Sequence, residues 1–453
     1  MQKLDTCPFA LRCCALVLTL GWFPGLAYAG SVQLFEHSAA SVASGGTNQA
    51  EAKDASAMFW NPAALTRLPD SNVSGALHFI EPTGKLADIS GRAARTSTPL
   101  TGSDGGSAGI FSPAASFYYA KALTPDTTVG FAMTAPFGNA LAYEDGWVGR
   151  YFALESELLT VDLGLSVGYK ATPTLSLGFG VDLQYAKATL GNAIDLSATC
   201  IAVLGAMPCS ASGFGTPGNA AADGRVAVKQ DSWEPGWNVG LLWHPSADFR
   251  LGLAYRSKVD HELEGDASFV KPANLPATIN GLAALTNGGT KTDLPLPPSA
   301  ALSAFYQINE SLSVTGSATW TKWSVVKELR TRFDNGAADS VIPLQWENTW
   351  RIGTGLAYKA TPALTLRTGV AYDQSPTTST SLQTLLIPDA DRWVLGIGGS
   401  YALSQASSID FGVTRYFLKN LPVESSATLS GSISTRYPSA GINAISVQGN
   451  FRF

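Results

Sequence analysis

The feature that most constrains this chain is a period of two, repeated from about residue 74 to the C-terminus. In residues 158–170, Val161, Leu163, Leu165, Val167 and Tyr169 share one face, and Thr160, Asp162, Gly164, Ser166 and Gly168 the other. Residues 174–185 repeat the pattern, with Leu177, Phe179, Val181, Leu183 and Tyr185 against Ser176, Gly178, Gly180, Asp182 and Gln184. The last ten residues set Ile445, Val447, Phe451 and Phe453 against Ser446, Gln448, Asn450 and Arg452. Successive side chains of a strand point to opposite faces, so each run reads as a strand with one apolar and one polar face. A water-soluble sandwich and a barrel with its apolar face toward lipid both satisfy that pattern.

Connection lengths separate the two. Short turns at 121–126, 170–174, 244–248, 307–311, 359–363 and 402–407 alternate with long loops at roughly 81–114, 138–157, 188–234, 263–297, 321–346, 374–391 and 418–443. Short turns on one side and long loops on the other are the habit of an outer-membrane barrel. Strands are expected near 74–80, 115–121, 127–137, 158–169, 174–187, 235–244, 249–262, 298–307, 311–320, 347–358, 363–373, 392–402, 407–417 and 444–453, about fourteen, with both ends on the short-turn side. Aromatic residues cluster near strand ends: Tyr118, Tyr119, Tyr169, Trp243, Tyr255, Tyr306, Trp320, Trp323, Trp346, Trp350, Tyr358, Tyr372, Trp393 and Tyr401. They suggest the two interfacial girdles of a membrane barrel. The expected fold is all-β, a transmembrane antiparallel barrel.

Composition agrees. Charged residues make up 14% of the chain and glycine contributes 45 residues, against roughly 25% charged in soluble domains. Residues 1–29 read as a signal peptide: Lys3 and Arg12, an apolar core at 15–23, and a small-x-small site at Ala27-Tyr28-Ala29. Of 30 Lys+Arg and 35 Asp+Glu the leader holds Lys3, Arg12 and Asp5, leaving 28 against 34. This mildly acidic balance gives no basic patch for nucleic acid. Cys200 and Cys209 are the cysteines left after processing. In an oxidising compartment a disulfide within one loop is expected, and without nearby histidine no metal site is. The residues nominate no cofactor.

Three local features stand out. "GLSVG" at 164–168 matches a nucleophile-elbow pattern, but Ser166 falls mid-strand where that motif needs a sharp turn. Pro136 and Gly138 interrupt the third strand; proline cannot donate to a ladder, so either the strand ends or it kinks and opens the wall. The long loops carry apolar groups, among them Ile201 and Leu204, and Ile279 and Leu282. These form a packed lid, a greasy groove that gathers ligand from outside, or both together. The segment before the first strand, containing "FWNPAALTRL" at 59–68, lacks the period of two.

The stretches "NPAALTRL" (61–68), "GWNVGLLWHPSADFRLGLAYRSKVDHELEGDA" (236–267), "ATWTKWSVVKELR" (318–330), "RTGVAYDQSP" (367–376) and "IPDADRWVLGIGGSYALS" (387–404) resemble the FadL/TodX family of outer-membrane transporters for hydrophobic compounds over essentially the whole mature chain. The resemblance implies a fourteen-strand barrel (73–453) with an N-terminal hatch in its lumen (30–72). It also implies capture of ligand in a loop groove, here Ile201, Leu204, Ile279 and Leu282, then transfer to an internal apolar pocket. Release follows by movement of the hatch, whose signature falls on Asn61, Pro62 and Ala63. Exit is lateral, at a third-strand kink falling on Pro136, Phe137 and Gly138. Asp373 falls where the family has a pocket acid. Lys187, Arg351 and Arg367 are candidate cations for a ligand carboxylate, while Ile342 stands where a basic residue would be. The function implied is passive uptake across the bacterial outer membrane by a single-chain protein, a monomer embedded in outer-membrane lipid and lipopolysaccharide. Long-chain fatty acids are the first substrate expectation and aromatic hydrocarbons the second. A general diffusion porin and an outer-membrane lipase are the rival classes.

Overall fold

A computed structural model describes residues 32–453; the expected signal peptide lies outside them. Fourteen staves, labelled β1–β14, form one antiparallel sheet. They are β1 Ser71–Thr83, β2 Ser112–Ala122, β3 Thr127–Thr134 resuming at Gly138–Ala142, β4 Glu155–Thr172 and β5 Leu175–Ile194. Next come β6 Gly224–Trp243, β7 Phe249–Arg256 resuming at Val259–Val270, and β8 Gly288–Leu296 resuming at Ser299–Gln307. The rest are β9 Leu312–Thr321 with an outer extension Glu328–Phe333, β10 Thr349–Lys359 preceded by Ser340–Pro343, β11 Leu364–Asp373, β12 Arg392–Ala402, β13 Ser407–Leu418 and β14 Gly441–Arg452. Pairing of β1 with β14, from Asn72 opposite Arg452 to Thr83 opposite Gly441, closes the barrel.

The barrel is inside-out relative to a soluble protein. Leu165, Ile352 and Ile397 are 61%, 57% and 57% exposed, while the alternating Ser446, Gln448 and Asp410 are buried. Continuous apolar exposure around a closed sheet is the lipid-facing band of a membrane barrel. Tyr169, Trp243, Tyr306, Tyr358 and Tyr401 ring its short-turn end, and Trp350 and Trp393 its opposite end, all outward. Three expected girdle members face inward instead. Tyr118 donates from its hydroxyl to the His37 carbonyl, 2.8 Å, and Trp323 and Trp346 are buried.

The lumen is filled by residues 32–70, nearly all buried. Helix α1 (Ala39–Ala43) starts at Ser38, whose Oγ accepts from the Ser41 amide, 3.0 Å. Helix α2 (Ala57–Trp60) leads into a 3-10 turn, Pro62–Arg67, capped by Asn61. The glycine-rich inner faces are the seats for this segment. A Cβ on Gly369 would lie 1.9 Å from the Ser44 carbonyl oxygen, and one on Gly178 2.1 Å from the Ala63 amide nitrogen. Glycine was needed there so that a second backbone could approach the wall.

The staves overrun the expected ends on the long-loop side. β5 continues to Ile194 and β6 begins at Gly224. In that outer portion the outward residues turn polar, as at Lys229 and Asp231, so the apolar half of the pattern disappears while the ladder continues. A separate three-stranded sheet, Ala87–Arg92 with Leu421–Ala427 and Gly431–Tyr437, lies within what the sequence reads as loops.

Candidate functional site

The third strand does not end at Pro136; it kinks. Both halves of β3 pair with β4, Thr134 opposite Asp162 and Gly138 opposite Leu159, with a one-residue slip between them. Pairing of β3 with β2 stops at Met133 opposite Phe117, although β2 continues to Ser112. The free edge of β3 is taken by the N-terminal segment. Leu34 donates its amide to the Pro136 carbonyl, 2.9 Å, and Gly138 donates to the Val32 carbonyl, 2.7 Å. Gln33 stands opposite Phe137 as an antiparallel bridge. Phe137 is fixed from the other side, its amide donating to Thr160 Oγ at 2.9 Å. Three residues of the N-terminal segment therefore supply the pairing that β2 withholds.

Above this seam the inner faces of β4 to β8 change character. Lower down they carry Asp162, Asp182 and Asn238, tied together with Arg256. Higher up, the same inward positions carry Leu158, Leu190, Leu263, Leu294 and Leu296. With Trp323, Val326, Leu344, Trp346, Ile387 and Val32 they line a mainly apolar cavity. Trp323 stands edge-on to Trp346, ring centroids 5.1 Å apart, and Phe137 edge-on to Trp323 at 6.3 Å. A second, smaller space lies below, lined by Gln33, Trp60, Pro62, Pro136, Phe137 and Arg256 among others. The seam at Gln33–Phe137 thus adjoins this lower space, and Val32 at its end lines the upper cavity.

Asn61, Pro62 and Ala63 are an anchor. Asn61 Oδ1 accepts from the Ala63 amide, 3.0 Å, and its Nδ2 donates to the carbonyls of Leu241 and Leu253 at 3.0 and 3.3 Å. The turn is thereby pinned to β6 and β7.

The expected carboxylate-binding cations do not line the upper cavity. Arg367 Nη1 pairs with Glu51 of the lumenal segment at 2.6 Å. Arg351 donates to the Gly45 carbonyl at 2.7 Å and lies 4.1 Å over the Phe35 ring. Lys187 is out of step with the inward Gln184 and Ala186, opposite Asp231 on the outer face. Asp373 is buried in a pair with Arg392, 2.7 Å, and Arg392 was not singled out from sequence. Its guanidinium also lies 3.5 Å from Asp389. Phase along a strand shows that Arg351 and Arg367 point inward; it does not show partners some three hundred residues away. The lumenal segment is further held by Tyr416 donating to Glu36, by Thr414 donating to the Val42 carbonyl, and by Gln448 accepting from the Ala39 amide at 3.0 Å. Glu51 is the electrostatic centre of this attachment. Burial would raise its pKa, but Arg367 and Lys53 outweigh burial and hold it at about 2.

The loop residues expected to form a groove are gathered, but they pack on one another. Helix α3 (Leu196–Leu204) and the short α4 (Ala206–Ala211) meet the segment around Ile279. Ile279 is fully buried in a cluster with Leu196, Phe214, Leu275 and Leu285, against which Ile201, Leu204 and Leu282 pack. Cys200 and Cys209 are joined by a disulfide, Cα–Cα 5.9 Å. In the chain-entropy account a bridge over so short a loop contributes about 2–4 kcal/mol. Cys200→Ser is accordingly expected to make residues 196–222, which offer apolar but no Lys or Arg cleavage sites, cleavable by thermolysin, with the barrel still resistant; equal resistance in the variant and the wild type would show that the cluster holds without the bridge.

Ser166 sits mid-β4 between Gly130 and Gly180, with no strand-to-helix turn around it.

This architecture has relatives. Residues 22–453 match the family model described as outer membrane protein transport protein (OMPP1/FadL/TodX). The chain is 29% identical over 414 residues to a long-chain fatty acid transport protein of Escherichia coli O6:H1, covering 88% of each. It is 29% identical over 411 residues to outer membrane protein P1 of Haemophilus influenzae, covering 86% of each. Among solved structures, a Pseudomonas aeruginosa FadL homologue superposes with a TM-score of 0.81 at 25% identity, over 95% of this chain and 100% of the other. The Pseudomonas putida toluene transporter TodX shares the fold, TM-score 0.69 at 20% identity, over 92% and 98%. With the closed fourteen-strand barrel, the outward apolar band and a match across the chain, this protein belongs to the OMPP1/FadL/TodX family of outer-membrane transport proteins.

Proposed function

We propose that the protein takes up hydrophobic small molecules passively across the outer membrane, by binding in the upper cavity and leaving sideways through the wall at the β3 kink. The observation that carries this reading is the seam: Val32–Leu34 both borders the cavity and occupies the edge that β2 leaves unpaired. The lumenal segment acts as the hatch, and withdrawal of those three residues joins the cavity to the membrane. The anchored turn at Asn61, Pro62 and Ala63 and the Glu51–Arg367 pair keep the rest of the hatch in place meanwhile. Capture begins among the outer loops at the α3–Ile279 cluster, which loosens to admit ligand. Outer-membrane lipid receives the ligand, lipopolysaccharide surrounds the charged outer portions of the staves, and the unit is a monomer.

Long-chain fatty acids are the first substrate by relatedness. The second reading, aromatic hydrocarbons, is favoured by the Trp323 and Trp346 rings of the cavity, with Phe137 edge-on to Trp323 from the seam. A general porin would need an open lumen, and this one is filled. In cells lacking their own transporters of this family, expression should raise uptake of radiolabelled oleate or toluene at least tenfold, while proteoliposomes carrying the protein should not swell in sugars. Uptake of both labels equal to the vector control would dismiss the proposal, and rapid swelling would replace it with a porin.

A further inference from the structure

The polar groups of the upper cavity specify the chemistry of the ligand's polar end, given the transport reading above. Among the described residues no Arg, Lys or His lines the cavity. Its one ionisable lining residue, Glu157, is out of step with the inward Ser156 and Leu158. The inward guanidinium groups nearby are committed elsewhere, Arg256 to Asp162 and Asp182, Arg351 and Arg367 to the hatch, and Arg392 to Asp373 and Asp389. A carboxylate entering this apolar space would lose its hydration and meet no counter-charge.

Two buried polar atoms in the lining are without partners. Asn139 is fully buried and donates through Nδ2 to Ser156 Oγ at 2.9 Å and to the Leu386 carbonyl at 3.2 Å. A carbonyl can only accept, so that contact fixes which end of the amide is the nitrogen. The other end, Oδ1, is an acceptor with nothing to accept. Trp346 Nε1, also buried, is a donor with nothing to receive its proton. Buried polar groups are nearly always paired, so an unpaired acceptor and an unpaired donor on two residues of one cavity wall mark where an occupant's hydrogen bonds belong. A carboxylate could accept from Trp346, but it would set its own lone pairs against Asn139 Oδ1. A plain hydrocarbon satisfies neither atom. A hydroxyl both donates and accepts.

We propose that the cavity selects hydrophobic molecules whose polar end is uncharged and bears a hydrogen-bond donor: a long-chain alcohol, a phenol, or a fatty acid in its undissociated form. The donor hydrogen goes to Asn139 Oδ1, and Trp346 Nε1 supplies the second contact. Fatty acids are then carried as the acid, so their uptake falls as the medium is made alkaline, whereas that of the alcohol of equal length does not.

The test is displacement of radiolabelled 1-dodecanol from the whole protein in lipid nanodiscs, with free ligand concentrations measured. In the wild type, dodecanol is expected to bind at least tenfold more tightly than laurate at pH 8.5 and than dodecane. Asn139→Leu should erase the preference for dodecanol over dodecane when both are measured on the variant. This ligand series decides the matter in the wild type even if the variant fails to assemble. Laurate binding as tightly as dodecanol at pH 8.5, or dodecane as tightly as dodecanol, would overturn the proposal and leave the transport reading standing. Failure of all three ligands to bind would remove both.

Discussion

Oxidising a Gln33→Cys, Phe137→Cys double variant is expected to stop uptake of hydrophobic substrate, and reduction is expected to restore it. The two positions face each other across an antiparallel bridge. The flanking hydrogen bonds, Leu34 to Pro136 and Gly138 to Val32, make theirs the closely spaced kind of pair. Opposed residues of that kind have Cα atoms about 4.5 Å apart, inside the span a disulfide can bridge. The bond would hold the N-terminal segment against the edge of β3, so that the cavity fills but cannot discharge. Because the exit is in series with every other step, the loss should exceed tenfold in oxidised cells. Wild type treated with the same reductant controls for Cys200–Cys209. Full transport through the oxidised variant, with the cross-link verified by mass spectrometry, would mean that the exit lies elsewhere.

Glu51→Gln is expected to loosen the hatch as a whole, which the first variant leaves in place. It strands the Arg367 guanidinium, 5% exposed at its side chain, opposite a neutral amide. Removing one member of a buried pair costs about 3–5 kcal/mol, mainly because a charge remains buried without its counterpart. Amide hydrogen exchange over residues 39–60 should therefore accelerate by two orders of magnitude or more, and sugars should begin to pass in a swelling assay. Adding Arg367→Met should recover much of the protection by removing the stranded charge. The pH dependence follows from the depressed pKa. A carboxyl held at about 2, against an ordinary value of 4.5, contributes its full stability above about pH 4.5 and loses it only as pH falls toward 2. The protection that Glu51 supplies, read as the difference between wild type and Glu51→Gln, should thus be equal at pH 8 and pH 5 after correction for intrinsic rates. Unchanged exchange in Glu51→Gln would show that the pair carries no weight in seating the hatch.

The barrel was legible because its physics is local. A period of two and the alternation of turn and loop lengths are properties of neighbouring residues, and they placed all fourteen staves in order. Stave ends were harder to read where the outward face leaves the lipid: at Lys229 and Asp231 the apolar half of the signal stops although the hydrogen bonding continues. The kink at Pro136 was legible as a disturbance, but its partner was not, because Val32–Leu34 carries no pattern of its own. Trp323 and Trp346 look like girdle residues from their nearness to strand ends. The chain leaves β9 at Thr321 and turns through Trp323–Val325, which carries Trp323 into the cavity. Lys187 illustrates the cost of one residue of register: a single step exchanges the lumen for the outer face. Arg351 and Arg367 were correctly read as inward-facing, yet their partners sit on the hatch.

If ligand leaves by the proposed route, the three-residue seam also sets how long the wall stays open. When Val32–Leu34 withdraws, the Pro136 carbonyl and the Gly138 amide lose their partners together. Each lost bond costs about 0.5–1.5 kcal/mol where water takes over, and several kcal/mol where the edge faces hydrocarbon. The unpaired edge is also the complement of the segment that has just left it, tethered a few residues away. On the proposed route the aperture would therefore behave as a sprung valve, open only while a departing molecule occupies the space of the missing strand and then resealing on its own backbone, a route for greasy solutes without a standing hole.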